Sequence, residues 1–204
     1  DTDRAIRRNA QDILREFVMT FVSFFAKKQI IIAVLFLLLF RLPEALLTPV
    51  SQLFLQALPS KGGLGLSPQE FGLVNGTVGV IGFLVGGVIG GMLISRDGLK
   101  KWLWPMTLAI TIPNLTYVYL AYVMPENLML INVCVAIENL GYGFGFSAYM
   151  LFMIYFSQGE HKTSHYALCT GLMALSMMLP GLFAGALAQA AGYRLFFIIV
   201  MISC

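Results

Sequence analysis

The sequence predicts an all-α integral membrane protein, and three observations carry that prediction. Hydrophobic residues make up 58% of the 204-residue chain and charged residues only 11%, whereas a soluble domain carries about 25% charged residues. Five apolar runs are each long enough to cross a bilayer, whose hydrocarbon core needs about 20 helical residues. The stretches between the runs are short and hold Gly, Pro or Asn, so successive helices are antiparallel neighbours. Helices rather than open strands are required, because backbone groups in lipid must be satisfied within their own segment. The mean hydropathy of +0.82 agrees. The same arithmetic excludes a disordered chain, a disulfide scaffold and a nucleic-acid module. Cys134, Cys169 and Cys204 all lie in apolar runs and read as small hydrophobes.

Taken in order, residues 1–28 form an amphipathic segment and 29–204 a transmembrane bundle. In the first, Ile6, Ala10, Ile13, Phe17, Phe21 and Phe24 recur at spacings of three or four, while Arg4, Arg7, Arg8, Asp12, Arg15 and Glu16 fall mostly off that stripe. Such a helix lies in the headgroup plane. It reads as a cytoplasmic linker helix, with lipid sensing as the alternative. The spans follow at about 30–57, 69–94, 102–123, 128–155 and 166–190. A sixth, 193–204, is too short to cross and reads as incomplete. The chain also begins without Met or a signal peptide, so it is expected to be an internal piece of a longer protein.

Charge sets the expected orientation. Arg4, Arg7, Arg8, Arg15, Lys27, Lys28, Arg96, Lys100, Lys101 and Lys162 fall on one side, Lys61 and Arg194 on the other, and Arg41 within a span. The positive-inside bias then places the N-terminus and the loops near Arg96 and Lys162 in the cytoplasm.

Glycine is the next signal. Gly82, Gly86 and Gly90 repeat every four residues in the second span, with Gly87 and Gly91 on an adjoining face. Gly141 with Gly145 and Gly181 with Gly185 repeat the spacing in the fourth and fifth. Small residues so spaced let helix backbones approach closely, which serves plain packing or the rocking that alternating access needs.

Charges inside the spans point to chemistry. Arg41, Glu44 and Glu138 all fall near the bilayer midplane at a rise of about 1.5 Å per residue. A charge there costs on the order of 2.5–3.5 kcal/mol on insertion scales, so these residues face a polar cavity, pair with each other or take up a proton. Pro43 and Pro49 interrupt the helix beside the first pair, and an interrupted helix at midplane depth is a recurring mark of a transport site. Asn139, Tyr142, Ser147 and Tyr149 extend the polar and aromatic character around Glu138. Arg41, Glu44, Asn139, Tyr142 and Tyr149 are therefore the expected substrate-binding residues. Glu138, with no basic residue nearby in its own helix, is the expected proton-coupling one. An arginine keeps its proton in proteins, so Arg41 suits an anionic group, either of a substrate or of Glu44 in the empty state.

Other signals are weaker. His161 and His165 sit four apart without a convincing third ligand, so no metal is expected. The Met cluster at 173–178 suits adaptable packing. No nucleophile elbow, phosphate loop or dinucleotide fingerprint is present, so neither enzyme activity nor a cofactor is expected.

The loop after the second span, GMLISRDGLKKW from Gly91 to Trp102, resembles the cytoplasmic signature of the major facilitator superfamily. Gly91, Arg96, Gly98, Lys100 and Lys101 match it. Ser95 replaces the usual Asp, and Asp97 comes one residue after the Arg. More widely, 64–104, the run IENLGYGFGFSAYMLFM at 137–153, HYALCTGLMAL at 165–175, GYRLFF at 192–197 and the Arg-Leu-Pro-Glu at 41–44 resemble the second half of the AmpG-type muropeptide permeases. That resemblance implies the C-terminal six-helix half of a twelve-helix carrier, its last helix truncated and its N-terminal half missing. It further implies proton-driven import of anhydro-muropeptides across the bacterial inner membrane, for cell-wall recycling, with the 91–101 loop as a gate. Eukaryotic acetyl-CoA transporters look like relatives, so a carrier of another sugar conjugate or an acyl-nucleotide is an alternative. A non-transporting membrane receptor or scaffold is the alternative of another class, and ionisable groups at the midplane argue against it.

Overall fold

The structure, a computed structural model, describes residues 10–204, the side chains of 10–14 and 16 excepted. It is helical throughout, with no strand among the described residues. Five helical stretches, Ile30–Gln56, Pro68–Asp97, Leu99–Val123, Leu128–Phe156 and Lys162–Ile202, are long and apolar enough to span a membrane. The protein is an all-α, multi-pass integral membrane protein. Large apolar side chains such as Ile31, Val88, Trp104 and Leu182 stand more than half exposed, as lipid-facing surfaces do.

Helix α1 (Ala10–Phe25) precedes the first span. Ile6, Arg4, Arg7 and Arg8 of the expected amphipathic segment lie outside the described residues. Of its apolar stripe, Phe24 is fully buried against Phe156 and His165 while Phe17 is 59% exposed. Lys27, in the turn that follows, donates to the carbonyls of Phe156 and Gln158. Those carbonyls close a helix C-terminus, where a cation is favoured. Partial burial there holds the ammonium below the usual lysine range.

The first span is two helices rather than one kinked helix. Helix α2 (Ile30–Leu39) ends, Arg41 sits at φ −101°, ψ 5°, and α3 (Leu42–Gln56) begins. Pro43 is near the N-terminus of α3, where its missing N–H has no intrahelical partner to lose. The interruption expected at Pro43 falls earlier, at Phe40 and Arg41, so Pro43 meets a helix that has already broken. Pro49 does lie inside α3.

In the second span a short α4 (Pro68–Phe71) opens with a capping box, in which Ser67 and Glu70 satisfy each other's backbone N–H groups. A π-helical stretch, Gly72–Gly79, then leads into α5 (Val80–Asp97). The third span comprises α6 (Leu99–Thr111) and α7 (Leu115–Val123), joined through a 3-10 turn at Pro113. Helix α8 (Leu128–Phe156) is unbroken, its N-cap Asn127 accepting from the Met129 N–H at 2.8 Å.

Helix α9 (Lys162–Ile202) starts four residues earlier than expected and breaks only at Gly192, at φ 73° and ψ 157°. The loop expected between the fifth and sixth spans is a single glycine in a conformation that a side chain disfavours. Beyond it Arg194 donates to the Ala121 carbonyl at the end of α7, while Cys204 lies beside Thr111 and Asn114. The last segment therefore runs back along the third span.

Two larger apolar clusters, with a smaller one of Ile94, Met106 and Ala148 joining α5, α6 and α8, hold the bundle. One, at the Lys61 end, joins Leu47, Phe54, Leu120, Ile131 and Phe197. The other, toward the basic loops, joins Phe24, Leu37, Tyr149, Met153 and Cys169. Arg41, Glu44 and Glu138, all buried, occupy the layer between them on α3 and α8.

Candidate functional site

Breaking the first span at Phe40 and Arg41 puts the arginine at a helix start rather than mid-helix, where its side chain can turn inward. It is 7% exposed. Its guanidinium carbon lies 4.9 Å from the Phe146 ring centroid, 5.6 Å from that of Tyr142 and 5.9 Å from that of Tyr149. One terminal nitrogen also donates to the Tyr142 hydroxyl. A buried guanidinium is thus held by three ring faces of α8, each a source of cation–π attraction. No ion pair joins it to Glu44, so the empty-state pairing expected from the sequence is not formed. Its Nε has no hydrogen-bond partner.

One turn into α3, Glu44 accepts from the Thr48 hydroxyl at 2.9 Å through one oxygen, and its other oxygen is unpartnered. On α8, Glu138 accepts from the Asn139 amide at 2.7 Å, and the same amide nitrogen donates to the Val135 carbonyl at 3.0 Å. These two carboxyls, from different helices, line one pocket of about 240 Å³. Asn139 and Tyr142 line it too, with Thr48, Ser51 and Gln52 of α3, Asn75 of the π-helical stretch, Phe83 of α5 and Tyr117 of α7. The arrangement offers two carboxyls and several neutral hydrogen-bonding groups to a small polar space, with a caged cation one step away through Tyr142.

Of the sequence-derived substrate residues, Glu44, Asn139 and Tyr142 come together with Glu138 in this pocket. Arg41 reaches it through the Tyr142 hydroxyl. Tyr149 stands apart: it is fully buried, stacks on Phe40 and donates to the Leu37 carbonyl at 2.8 Å. That carbonyl lies in the last turn of α2, where the helix break leaves carbonyls short of partners. The sequence reading did not single out Thr48, Gln52, Asn75 or Tyr117. Asn75 carried a signal, a polar residue followed by glycine inside an apolar run, and π-helical stretches collect at functional sites.

The 91–101 loop lies apart from the pocket. Gly98, at φ +84°, turns the chain between α5 and α6. Arg96 and Lys101 reach Asp97 at 3.9 and 3.2 Å, and Trp102 donates to the same carboxylate at 3.1 Å. The acid one place after Arg96 thus gathers the loop's charges although Ser95 cannot. Lys100 is exposed, and Gly91 has no neighbour within 4 Å of an added methyl.

No family model matches the chain. It is similar over 85% of its length to a protein of Rickettsia prowazekii named putative transporter AmpG 1, with 26% identity, covering 38% of that protein. The anhydromuropeptide permease of Escherichia coli K12 matches over 86% of the chain at 26% identity, covering 35% of the permease. An uncharacterized protein of Haemophilus influenzae matches over 94% at 24% identity, covering 46% of its length. The chain therefore spans less than half the length of these relatives, and it resembles AmpG-like transporters nearly from end to end. The two relatives with functional names are named for transport rather than for catalysis.

Proposed function

We propose that the chain is the C-terminal six-helix half of a major facilitator superfamily carrier that imports anhydro-muropeptides, or closely related cell-wall sugar fragments, with protons. In this reading it lies in the bacterial inner membrane, residues 1–28 and the 91–101 loop are cytoplasmic, and an upstream half in the same chain completes the central cavity. The observation that carries the proposal is the meeting of the buried Glu44 and Glu138 in one pocket beside a caged Arg41. A scaffold gains nothing from such a cluster, and each charge costs insertion energy. The similarity to two proteins named for AmpG-type transport supports the solute class.

The roles follow from chemistry. An acid that couples to a proton gradient takes up a proton where it is desolvated and releases it where water enters. Glu138 faces the pocket with only an amide on its carboxylate, so its protonation is not tied to a fixed cation. Arg41 keeps its charge, and its cage of rings leaves the Nε without a partner. It would hold an anionic group of the solute, with Glu44 as the adjoining acceptor. Asn139 and Tyr142 would bond hydroxyl and amide groups, and the 91–101 loop would gate the cytoplasmic side.

In the full-length carrier, Glu138→Gln is expected to reduce gradient-driven accumulation of labelled anhydromuropeptide at least tenfold while sparing solute exchange. Proteoliposomes with and without a pH gradient separate the two readouts. Normal accumulation by Glu138→Gln, with loss in Glu44→Gln, would reverse the assignment.

A further inference from the structure

A second cavity, larger than the one that holds the carboxyls, lies elsewhere in the bundle. A pocket of about 690 Å³ opens between α3 and α9 at the Lys61 end, lined on one side by Gln56, Ala57 and Lys61 and on the other by Gln189, Gly192 and Tyr193. Its volume falls within the range of about 300–1,000 Å³ common to small-molecule sites. What connects it to the midplane is a polar stripe. Glu44, Thr48, Gln52 and Gln56 recur every four residues along α3, which places them on one helix face. Glu44, Thr48 and Gln52 line the carboxyl pocket, Thr48 and Gln52 line a third pocket against Met177 and Gly181, and Gln56 lines the large one. From Glu44 to Gln56 the stripe is about 18 Å long.

Gln52 and Gln56 are exposed although they belong to a membrane-spanning helix. An amide facing lipid would be poorly satisfied; Gln56 returns one donor to the Gln52 carbonyl at 3.2 Å, and both side chains line cavities with the rest of their hydrogen-bonding capacity. Each carries two donors and an acceptor oxygen and no charge, the complement of a ring bearing several hydroxyls. Gln189 supplies the same group from α9, Tyr193 adds a ring and a hydroxyl, and Lys61 adds one cation at the rim. The break at Gly192 sets Gln189 and Tyr193 on either side of a chain reversal, so both reach one cavity.

Resting on the transport reading above, we infer that this pocket is an entry subsite for the sugar portion of the solute, with Gln56 and Gln189 as its hydrogen-bonding walls. The solute binds there first and passes along the amide stripe to the carboxyl pocket. Residues at an entry subsite set how readily dilute solute is captured, whereas the midplane acids set coupling.

The test is made on the full-length carrier in proteoliposomes, with anhydromuropeptide as the probe. Gln56→Leu and Gln189→Leu are expected to raise the KM for uptake at least fivefold, with the rate at saturating solute within twofold of the parent. Independently, Gln56→Cys and Gln189→Cys in a Cys204→Ser background are labelled with a membrane-impermeant thiol reagent. The probe is expected to slow labelling at least threefold, and this readout holds even if the leucine variants fold poorly. Unchanged KM with labelling indifferent to the probe overturns the subsite and leaves the transport reading standing. Absence of uptake by the parent carrier overturns both.

Discussion

The α5–α8 contact and the α3–α9 contact are built in opposite ways. Along the first, a methyl added to Gly86 would come 2.1 Å from the Leu140 carbonyl oxygen, and one added to Gly143 would come 2.0 Å from that of Phe83. Gly82 and Gly90 are closed off similarly by the Ala136 and Phe144 carbonyls, and the Ser147 hydroxyl bonds across to the Gly87 carbonyl. Backbone meets backbone from Gly82 to Gly90, about two and a half turns. Along the second, two cavities open between the helices, Pro49 lies inside α3 and removes one of its backbone donors, and Gly185 has nothing within 4 Å of an added methyl. The carboxyl pocket lies where the two meet, with α3 on one side and α5 and α8 on the other. A glycine-stitched pair resists deformation because its interior leaves no free volume. A helix pair separated by cavities can shift at lower cost. Glu138 thus belongs to a stiff wall and Glu44 to a compliant one, which is how relative motion would change the space between two acids.

The largest effect expected from this contrast is at the stitched contact. Gly86→Ala and Gly143→Ala each drive a methyl into a carbonyl oxygen held by a helix, and overpacking of this kind costs about 1–3 kcal/mol. Thermal unfolding of the purified carrier in detergent measures it. Parent-like stability in both variants would show that α5 and α8 can separate freely, and the stiff-wall account would be lost.

A smaller effect is expected at the break in the first span. Tyr149 ties α8 to α2 through the Leu37 carbonyl, which no longer has a full helical neighbourhood. Tyr149→Phe keeps the ring that stacks on Phe40 and removes only the hydroxyl, so the expected loss is about 1 kcal/mol. The same unfolding measurement applies. A loss in solute affinity with unchanged stability would instead move Tyr149 from the scaffold to the binding residues.

These contrasts also mark what the sequence could tell. The spans were legible because hydropathy registers bilayer thickness directly, and the glycine face at Gly82, Gly86 and Gly90 because a repeat of four is the helix's own period. Depth was legible too: a fixed rise per residue placed Arg41, Glu44 and Glu138 in one layer before any contact was known. Facing was not. Arg41 and Glu44 are three apart, yet the helix breaks at Arg41 and sends it to the rings of α8 instead. Tyr149 shares a helix with Glu138 but points at α2. The π-helical stretch that presents Asn75 depends on hydrogen bonding that no composition reveals. The polar stripe from Glu44 to Gln56 was visible as a period of four, but its meaning rested on cavities that only the packing of α9 defines.

The smallest effect expected is at the open contact, and its sign is opposite. Gly185 sits within α9, has no conformational need for glycine, and has no atom within 4 Å of an added methyl. Alanine there restricts the unfolded chain without a clash, which stabilises by about 0.4–1 kcal/mol. Gly185 also lines the large cavity between α3 and α9, so the methyl occupies a little of the space through which the two helices would shift. Gly185→Ala is therefore expected to unfold slightly later than the parent and to transport slightly more slowly. Gly171→Ala provides the control: it has equal room on the same helix and lines neither cavity, so it should show the stability gain with unchanged transport. Equal transport by the two variants would remove the link between open packing and motion, while loss of stability at Gly185 would show that α9 closes more tightly on α3 than the gap implies.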